Sequence, residues 1–367
     1  MPTADFTDLR PYAPGLRAPE ILARFRRVAD EGLLRHALPE RYGGYGDDFQ
    51  SLVNAHKRLG EASRDPGLIL TVNAHLWGTV FPILKFGSEA QKETFIPKLI
   101  RGEWLAGHAI TEPGCGSDTQ AMSSSAVWEA DGFRLRGEKR YISNAPIADW
   151  LVVYAKVDED IAAFLVSAHD PGCRFFEDRE ILACRGSVIG SVVLDNCRLG
   201  KNRLLGKAGS GARILQYALE LERAYIFAGI SGVMAWQLNK AVEHSRVRRS
   251  GNTHLGHHQA ISHRVAEMKL RLDTLELWLR RCAKLCDQGQ RLTMAAAQTK
   301  LYAAEAFLQS SIDAIQILGA SALDAENGLA NLVEDALAGR LFSGSSEVQR
   351  NIIAGLLGTG DAYRTAP

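Results

Sequence analysis

From about Ala18 to Leu105, apolar residues recur three and four positions apart, as in LVNAHKRLGEA and EAQKETFIPKLIRG, and that spacing predicts amphipathic helices. The breaks fall at PERYGGYGD and KFGSEAQ, which carry the glycines and capping residues that end and restart helices. The period then changes. Between 106 and about 205, SSAVWEA, FRLRGEKRYIS, WLVVYAKV, IAAFLVSA and SVVLDNCRL read as strands, parted by the turn clusters ADG, HDPG and DNC. From Gly211 the helical period returns over 212–247, 257–288, 292–319 and 327–338, with a shorter segment near 345–357. There is no βαβ alternation and no GxGxxG after a strand, so a doubly wound nucleotide-binding sheet is not expected. The order predicts an α+β, mainly α protein: a helical domain at 1–106, a β-barrel or sandwich domain at 107–210, and a helical-bundle domain at 211–367.

Composition narrows the function classes. Of 367 residues, 46% are apolar and 23% charged, which suits a globular chain of two or three domains. Lysine and arginine (43) balance aspartate and glutamate (42), which gives no electrostatic reason to expect a nucleic-acid or anionic-membrane partner. The longest apolar-looking run, Ala224 to Trp236, falls short of the ~20 residues of a membrane span, and the N-terminus lacks a secretory pattern. Six scattered cysteines suit reduced thiols in the cytoplasm. Neither the Cys282/Cys286 pair nor His254, His257, His258 and His263 has partners at metal-site spacing, so no metal is expected.

Four segments carry candidate chemistry. AITEPGCGSD (109–118) offers backbone amides and hydroxyls that could cradle a flat or phosphorylated ligand, or form an ordinary Pro-Gly turn. In GEKRYISNAPIADW (137–150), strand alternation places Tyr141 and Ser143 on one face, either a cofactor platform or a half-buried strand. In ILQYALELERAYIFAGISG, Glu222 has Leu215 and Leu219 behind it and Ile226 and Ile230 ahead, so a carboxylate sits in an apolar stripe. Glu220, near Arg213 and Gln216, reads as solvated or paired. A buried carboxylate needs a partner or a raised pKa; the first reading is a salt bridge, the second a general base for a weak carbon acid. In LFSGSSEVQRNIIAGLLG (341–358), Ser345 or Ser346 caps a helix.

Together these segments resemble the acyl-CoA dehydrogenase family over nearly the whole chain. The resemblance rests on PERYGGYG, FGSEAQKETFIPKLIRGE, ITEPGCGSD, GEKRYISNAPIADW, VLDNCRLGKNRLLG, HHQAISHRVAEM and SGSSEVQRNIIA, in that order. It implies an FAD enzyme with a helical domain, a β domain and a four-helix domain, assembled as a homo-oligomer, dimer or tetramer. By position it assigns Ile110 and Thr111 to the flavin pyrimidine edge and Ser117 to the pyrophosphate or the substrate's pantetheine arm. Tyr141 and Ser143 fall against the flavin ring. Arg248, Gln259, Gln316, Gly319, Ser345 and Glu347 fall among cofactor-binding positions, Arg248 and Gln316 toward a neighbouring subunit's FAD.

The departures are informative. Most members carry their catalytic glutamate in the phrase YEGT, which here reads Phe342-Ser343-Gly344-Ser345. The isovaleryl and long-chain branches look similar in taking the base from the helix where this chain has Glu222. The turn after Gln316 reads Gly319-Ala320-Ser321-Ala322, the R-x-x-F-G phrase has become Arg248-Arg249-Ser250-Gly251-Asn252, and a common Arg-Asp-Ala reads Glu334-Asp335-Ala336. The implied reaction is α,β-dehydrogenation of an acyl thioester of coenzyme A or a carrier protein. Glu222 takes the α proton, the β hydride passes to flavin N5, the Ser343 N–H donates to the thioester oxygen, and Arg223 shapes the substrate pocket. An electron-transfer flavoprotein is the usual acceptor. The alternatives are a flavin oxidase or monooxygenase on the same fold, or a non-catalytic assembly subunit.

Overall fold

The computed structural model describes residues 5–6, 9 and 16–360. The first apolar repeat forms α1 (Ala18–Asp30), α2 (Phe49–Ser63), α3 (Pro66–His75), α4 (Phe81–Phe86) and α5 (Glu89–Ile100). Side chains satisfy the free amides at their starts: Asp48 accepts from Ser51 N–H, Asp65 from Gly67 and Leu68, and Ser88 forms a reciprocal box with Gln91. A π-helical turn, Leu76–Val80, joins α3 to α4, so Pro66–Phe86 is one continuous rod, buried from Pro66 to Ile83. This rod and Thr293–Leu323 are both longer than the 224–236 run that the sequence offered. The polar residues that break up the rod's pattern are paired inside the protein: Thr71 with Ser187, Asn73 with the Ile69 and Ile226 carbonyls, Thr79 with the Gly107 carbonyl.

Next come β1 (Ala106–Ala109), β2 (Ser125–Glu129), β3 (Gly132–Ser143), β4 (Trp150–Val157), β5 (Asp160–Ser167), β6 (Cys173–Phe176), β7 (Ile189–Gly200) and β8 (Leu204–Leu205). They form a sheet in the order β6-β7-β3-β2-β4-β5-β8, with β1 parallel to β4. Strands β1, β6 and β8 are too short to show alternation, which is why periodicity missed them. The sheet has its own core of Phe133, Leu135, Val153, Phe164, Val166 and Leu194.

The C-terminal part holds α6 (Gly211–Tyr225), α7 (Ala228–Val247), the hairpin β9 (Arg249–Ser250) and β10 (Thr253–His254), α8 (Gln259–Asp287), α9 (Thr293–Leu318), α10 (Asn331–Gly339) and α11 (Ser346–Leu356). The single segment expected over 212–247 is two helices. No proline or glycine marks the break; instead Asn73 on α3 donates to the Ile226 carbonyl (3.4 Å), and Phe227 turns toward Phe342 and Gly339. Helices α2 and α7 meet backbone to backbone. A methyl group on Gly60 would lie 1.8 Å from the Gly229 carbonyl oxygen, so a larger residue there would prise the helices apart.

Candidate functional site

Strand β1 is pinned where the rod, the sheet and α6 converge. His75 accepts from Ala106 N–H at Nδ1 (3.1 Å) and donates from Nε2 to the Leu99 carbonyl (3.2 Å). Burial pushes its pKa down to about 3, so the ring stays neutral and can play both roles. Thr79 donates to the Gly107 carbonyl (2.7 Å), and Asn144 donates to the Ala106 (2.9 Å) and Thr71 (3.0 Å) carbonyls. With β1 fixed, His108 sits on Gly78 in the π-turn: a methyl group there would come within 2.8 Å of the His108 ring.

Beside His108 lies a cavity of about 560 Å³, within the usual range for small-molecule sites. Leu70 and Ala74 of α3 line one wall and Ile110, Thr111 and Ser117 of the motif after β1 another; Tyr141, Ile142 and Ser143 of β3 also border it. Leu219, Glu222 and Arg223 of α6 and Phe342, Ser343 and Gly344 complete the lining. The Glu222 residue is only 5% exposed, and one carboxylate oxygen lies 3.4 Å from His108 Nε2. Tyr154 on β4 is buried nearby; burial first, and the Glu222 charge second, push its hydroxyl well above the usual range. Glu220 is half-buried, and one of its oxygens is buried without a hydrogen-bond partner among the described residues.

Ser343 takes a left-handed backbone (φ 55°), unusual for a residue other than glycine. Its carbonyl accepts from Arg223 Nε (3.3 Å) and Gln349 Nε2 (3.3 Å), and Gln349 also donates to the Gly344 carbonyl (2.8 Å). Burial lowers the Arg223 pKa, a cost offset in part by the Glu222 and Glu220 charges. The Ser343 N–H makes no backbone hydrogen bond among the described residues.

Tyr141 and Ser143 both line the cavity, though not by plain alternation. A bulge in the β3–β7 register between Lys139 and Ile142, with Tyr141 at φ 57°, turns that side chain outward. Arg179 stacks on its ring at 5.3 Å and donates to its hydroxyl (3.4 Å). Beneath the bulge, Lys139 Nζ donates to Glu112 (2.7 Å) and to the Ile110 carbonyl (3.2 Å). Glu112 also accepts from Ser123 N–H and hydroxyl and from Ser124 N–H. Burial would raise its pKa, but Lys139 and the serines outweigh burial and hold it at about 2. This ion pair props the turn bearing Thr111 and Ser117 against β3.

The donor set fits the expected flavin. Hydroxyls of Thr111, Ser117 and Ser143 share the cavity with an aromatic face, and a methyl group on Gly114 or Gly116 would meet nothing within 4 Å. The remaining predicted positions lie outside this cavity. Arg248, Gln259, Gln316, Gly319 and Glu347 are exposed, and Ser345 caps α11 by accepting from Val348 N–H. Gly319 keeps a left-handed turn (φ 63°) at the end of α9 with open space beside it. His108, the Glu112–Lys139 pair and Gln349 escaped the sequence analysis. Each lies within a recognised motif or beside one, but their partners are distant in sequence.

Comparison with known proteins identifies the family. Models of the acyl-CoA dehydrogenase N-terminal, middle and C-terminal domains match residues 7–103, 107–197 and 209–357. An L-prolyl-[peptidyl-carrier protein] dehydrogenase of Pseudomonas fluorescens is 37% identical over 331 residues, 89% of this chain and 87% of that protein. The solved prolyl acyl carrier protein oxidase AnaB is 32% identical with a TM-score of 0.90, covering 92% of this chain and 90% of its own. A structure of PigA with FAD and proline is 30% identical with a TM-score of 0.91, covering 96% and 94%. The chain thus belongs to the acyl-CoA dehydrogenase family of FAD-dependent oxidoreductases acting on CH–CH groups.

Proposed function

We propose that this chain oxidises the α,β bond of an aminoacyl group held as a thioester on a carrier protein, with Glu222 as the base. One observation carries the reading: a buried carboxylate borders the cavity while Ser343, which also lines it, occupies the place of the family's usual glutamate. FAD, when bound, supplies the two-electron oxidant that accepts the β hydrogen with its electron pair. Ile110, Thr111, Ser117, Tyr141 and Ser143 would hold it. Glu222 removes the α proton, and the electrons of that C–H bond become the new C=C bond. Deprotonation pushes charge onto the thioester oxygen. There the Ser343 N–H, on a turn tied down by Arg223 and Gln349, would donate; a preorganised donor of this kind contributes roughly 3 kcal/mol.

Similarity to the prolyl-carrier dehydrogenase and to PigA supports a carrier-bound aminoacyl substrate over coenzyme A. Arg248, Gln259, Gln316, Gly319, Ser345 and Glu347 would serve the cofactor across a homo-oligomer interface, with domain limits at 106/107 and 210/211. Six free cysteines fit a cytoplasmic enzyme. An anaerobic panel tests the substrate: a prolyl carrier-protein thioester should bleach bound flavin faster than butyryl-CoA, and the reverse order would overturn the carrier assignment. Similarity to a prolyl carrier-protein oxidase favours a second reading, with dioxygen as acceptor rather than an electron-transfer flavoprotein. Rapid reoxidation of the bleached flavin in air would support it.

A further inference from the structure

Two histidines flank β1, and they differ in a telling way. His75 has both ring nitrogens satisfied by backbone, as a residue kept for the fold should. His108 has neither nitrogen on backbone. Its Nδ1 is buried without a partner among the described residues, and its Nε2 faces Glu222 Oε1 at 3.4 Å. Leaving a buried ring nitrogen unpaired costs free energy, so the fold does not explain the ring's placement. Yet the placement is tightly held: Gly78 leaves room for the ring, the π-turn puts Gly78 there, and Thr79 ties the turn to β1. π-turns of this kind often mark functional positions.

We infer that His108 is a positioning residue that holds the Glu222 carboxylate in the orientation needed to reach the substrate's α carbon; the inference rests on the reading of Glu222 as the base. Glutamate has two side-chain methylenes and several rotamers, and an apolar stripe offers no polar anchor to choose among them. The other charged or titratable neighbours do not supply one. Arg223 is turned to the Ser343 carbonyl, and Tyr154 makes no hydrogen bond to Glu222. His108 is the group within reach of the carboxylate, and both side chains are shielded from water, at 12% and 6% exposure. It also adds a polar group to a wall that a plain alkyl chain would leave unpaired.

The test separates deprotonation from oxidation. With the flavin chemically reduced, exchange of the α hydrogen of a prolyl carrier-protein thioester into D2O, followed by NMR, reads the base alone. His108→Phe should slow exchange by about tenfold or more, as expected for losing the polar contact at 3.4 Å that orients the carboxylate. In turnover it should lower kcat, leave KM within about twofold, and enlarge the isotope effect of an α-deuterated substrate. His108→Gln, whose amide can reach the Nε2 position, should restore most of the rate. FAD content and melting temperature should stay at the wild-type level in both variants. Wild-type exchange and isotope effect in His108→Phe would overturn the inference. Should that variant fail to fold, Gly78→Ala displaces the ring from below and should slow exchange too; a wild-type rate there overturns the inference equally. Glu222→Gln is the separate control. Exchange that survives it sinks the reading of the base, whereas exchange lost in Glu222→Gln but intact in His108→Phe sinks this inference alone.

Discussion

Glu112 and Lys139 are almost wholly inaccessible, and each is the other's charge partner. Glu112→Gln would leave the Lys139 ammonium buried with no counter-charge, a change that commonly costs about 3–5 kcal/mol. Urea unfolding at neutral pH should show that loss together with reduced FAD content, because the pair props the turn bearing Thr111. The pH dependence has a definite sign. Glu112 has a folded pKa of about 2 against an ordinary 4.5, so its contribution is fully present above about 4.5 and is lost as pH falls toward 2. At Ser343 the account places function in the backbone. Ser343→Ala should keep steady-state activity within about threefold, since the N–H and its tethers remain; a hundredfold loss would place function in the hydroxyl instead.

Helix α10 and the segment before β7 border the cavity together, and Asp335 joins them by accepting from Cys184 N–H (2.5 Å). Burial, only partly opposed by that bond, pushes the Asp335 carboxyl up to about 7. A raised carboxyl binds a proton in the folded state that the unfolded chain releases near 3.8. Its stabilisation is therefore complete below about 3.8 and disappears as pH rises to 7. Urea midpoints should fall across that window in the wild type, and Asp335→Asn should flatten the slope. Elements also show what the chain's pattern can tell. The long helices and the five longer strands follow directly from periods of 3.6 and 2, because burial on one face is what writes those periods. The break at Ile226, the π-turn and the β3 bulge left no periodic trace. They arise from Asn73, Gly78 and Tyr141 meeting partners far away in sequence.

The assembled molecule leaves Leu270, Leu277, Ile312 and Leu323 at 42–69% exposure on α8, on α9 and just beyond it. The same part of the protein carries Gln259 and Gln316, with Arg248 just before it, all outside the cavity. A homo-oligomer would cover the apolar surface and bring the polar residues to a second copy's cofactor. Sedimentation should find a dimer or tetramer, and Leu270→Glu with Leu277→Glu should yield smaller species with less FAD. A wild-type monomer saturated with FAD would contradict that arrangement. Of the site, Glu222 was legible because an acid in an apolar stripe violates the helix's own pattern. Thr111, Ser117, Tyr141 and Ser143 were legible through motif order. His108 was not, since a lone histidine in a short apolar run gives no hint of a carboxylate 114 positions away.

Everything at the site turns on which group takes the α proton. The direct measurement is anaerobic flavin bleaching by an acyl thioester, wild type against Glu222→Gln, with bound FAD quantified in both. The account predicts a yellow variant that holds its FAD and bleaches roughly a hundredfold to ten-thousandfold more slowly, the usual contribution of a general base. Bleaching at the wild-type rate would contradict it.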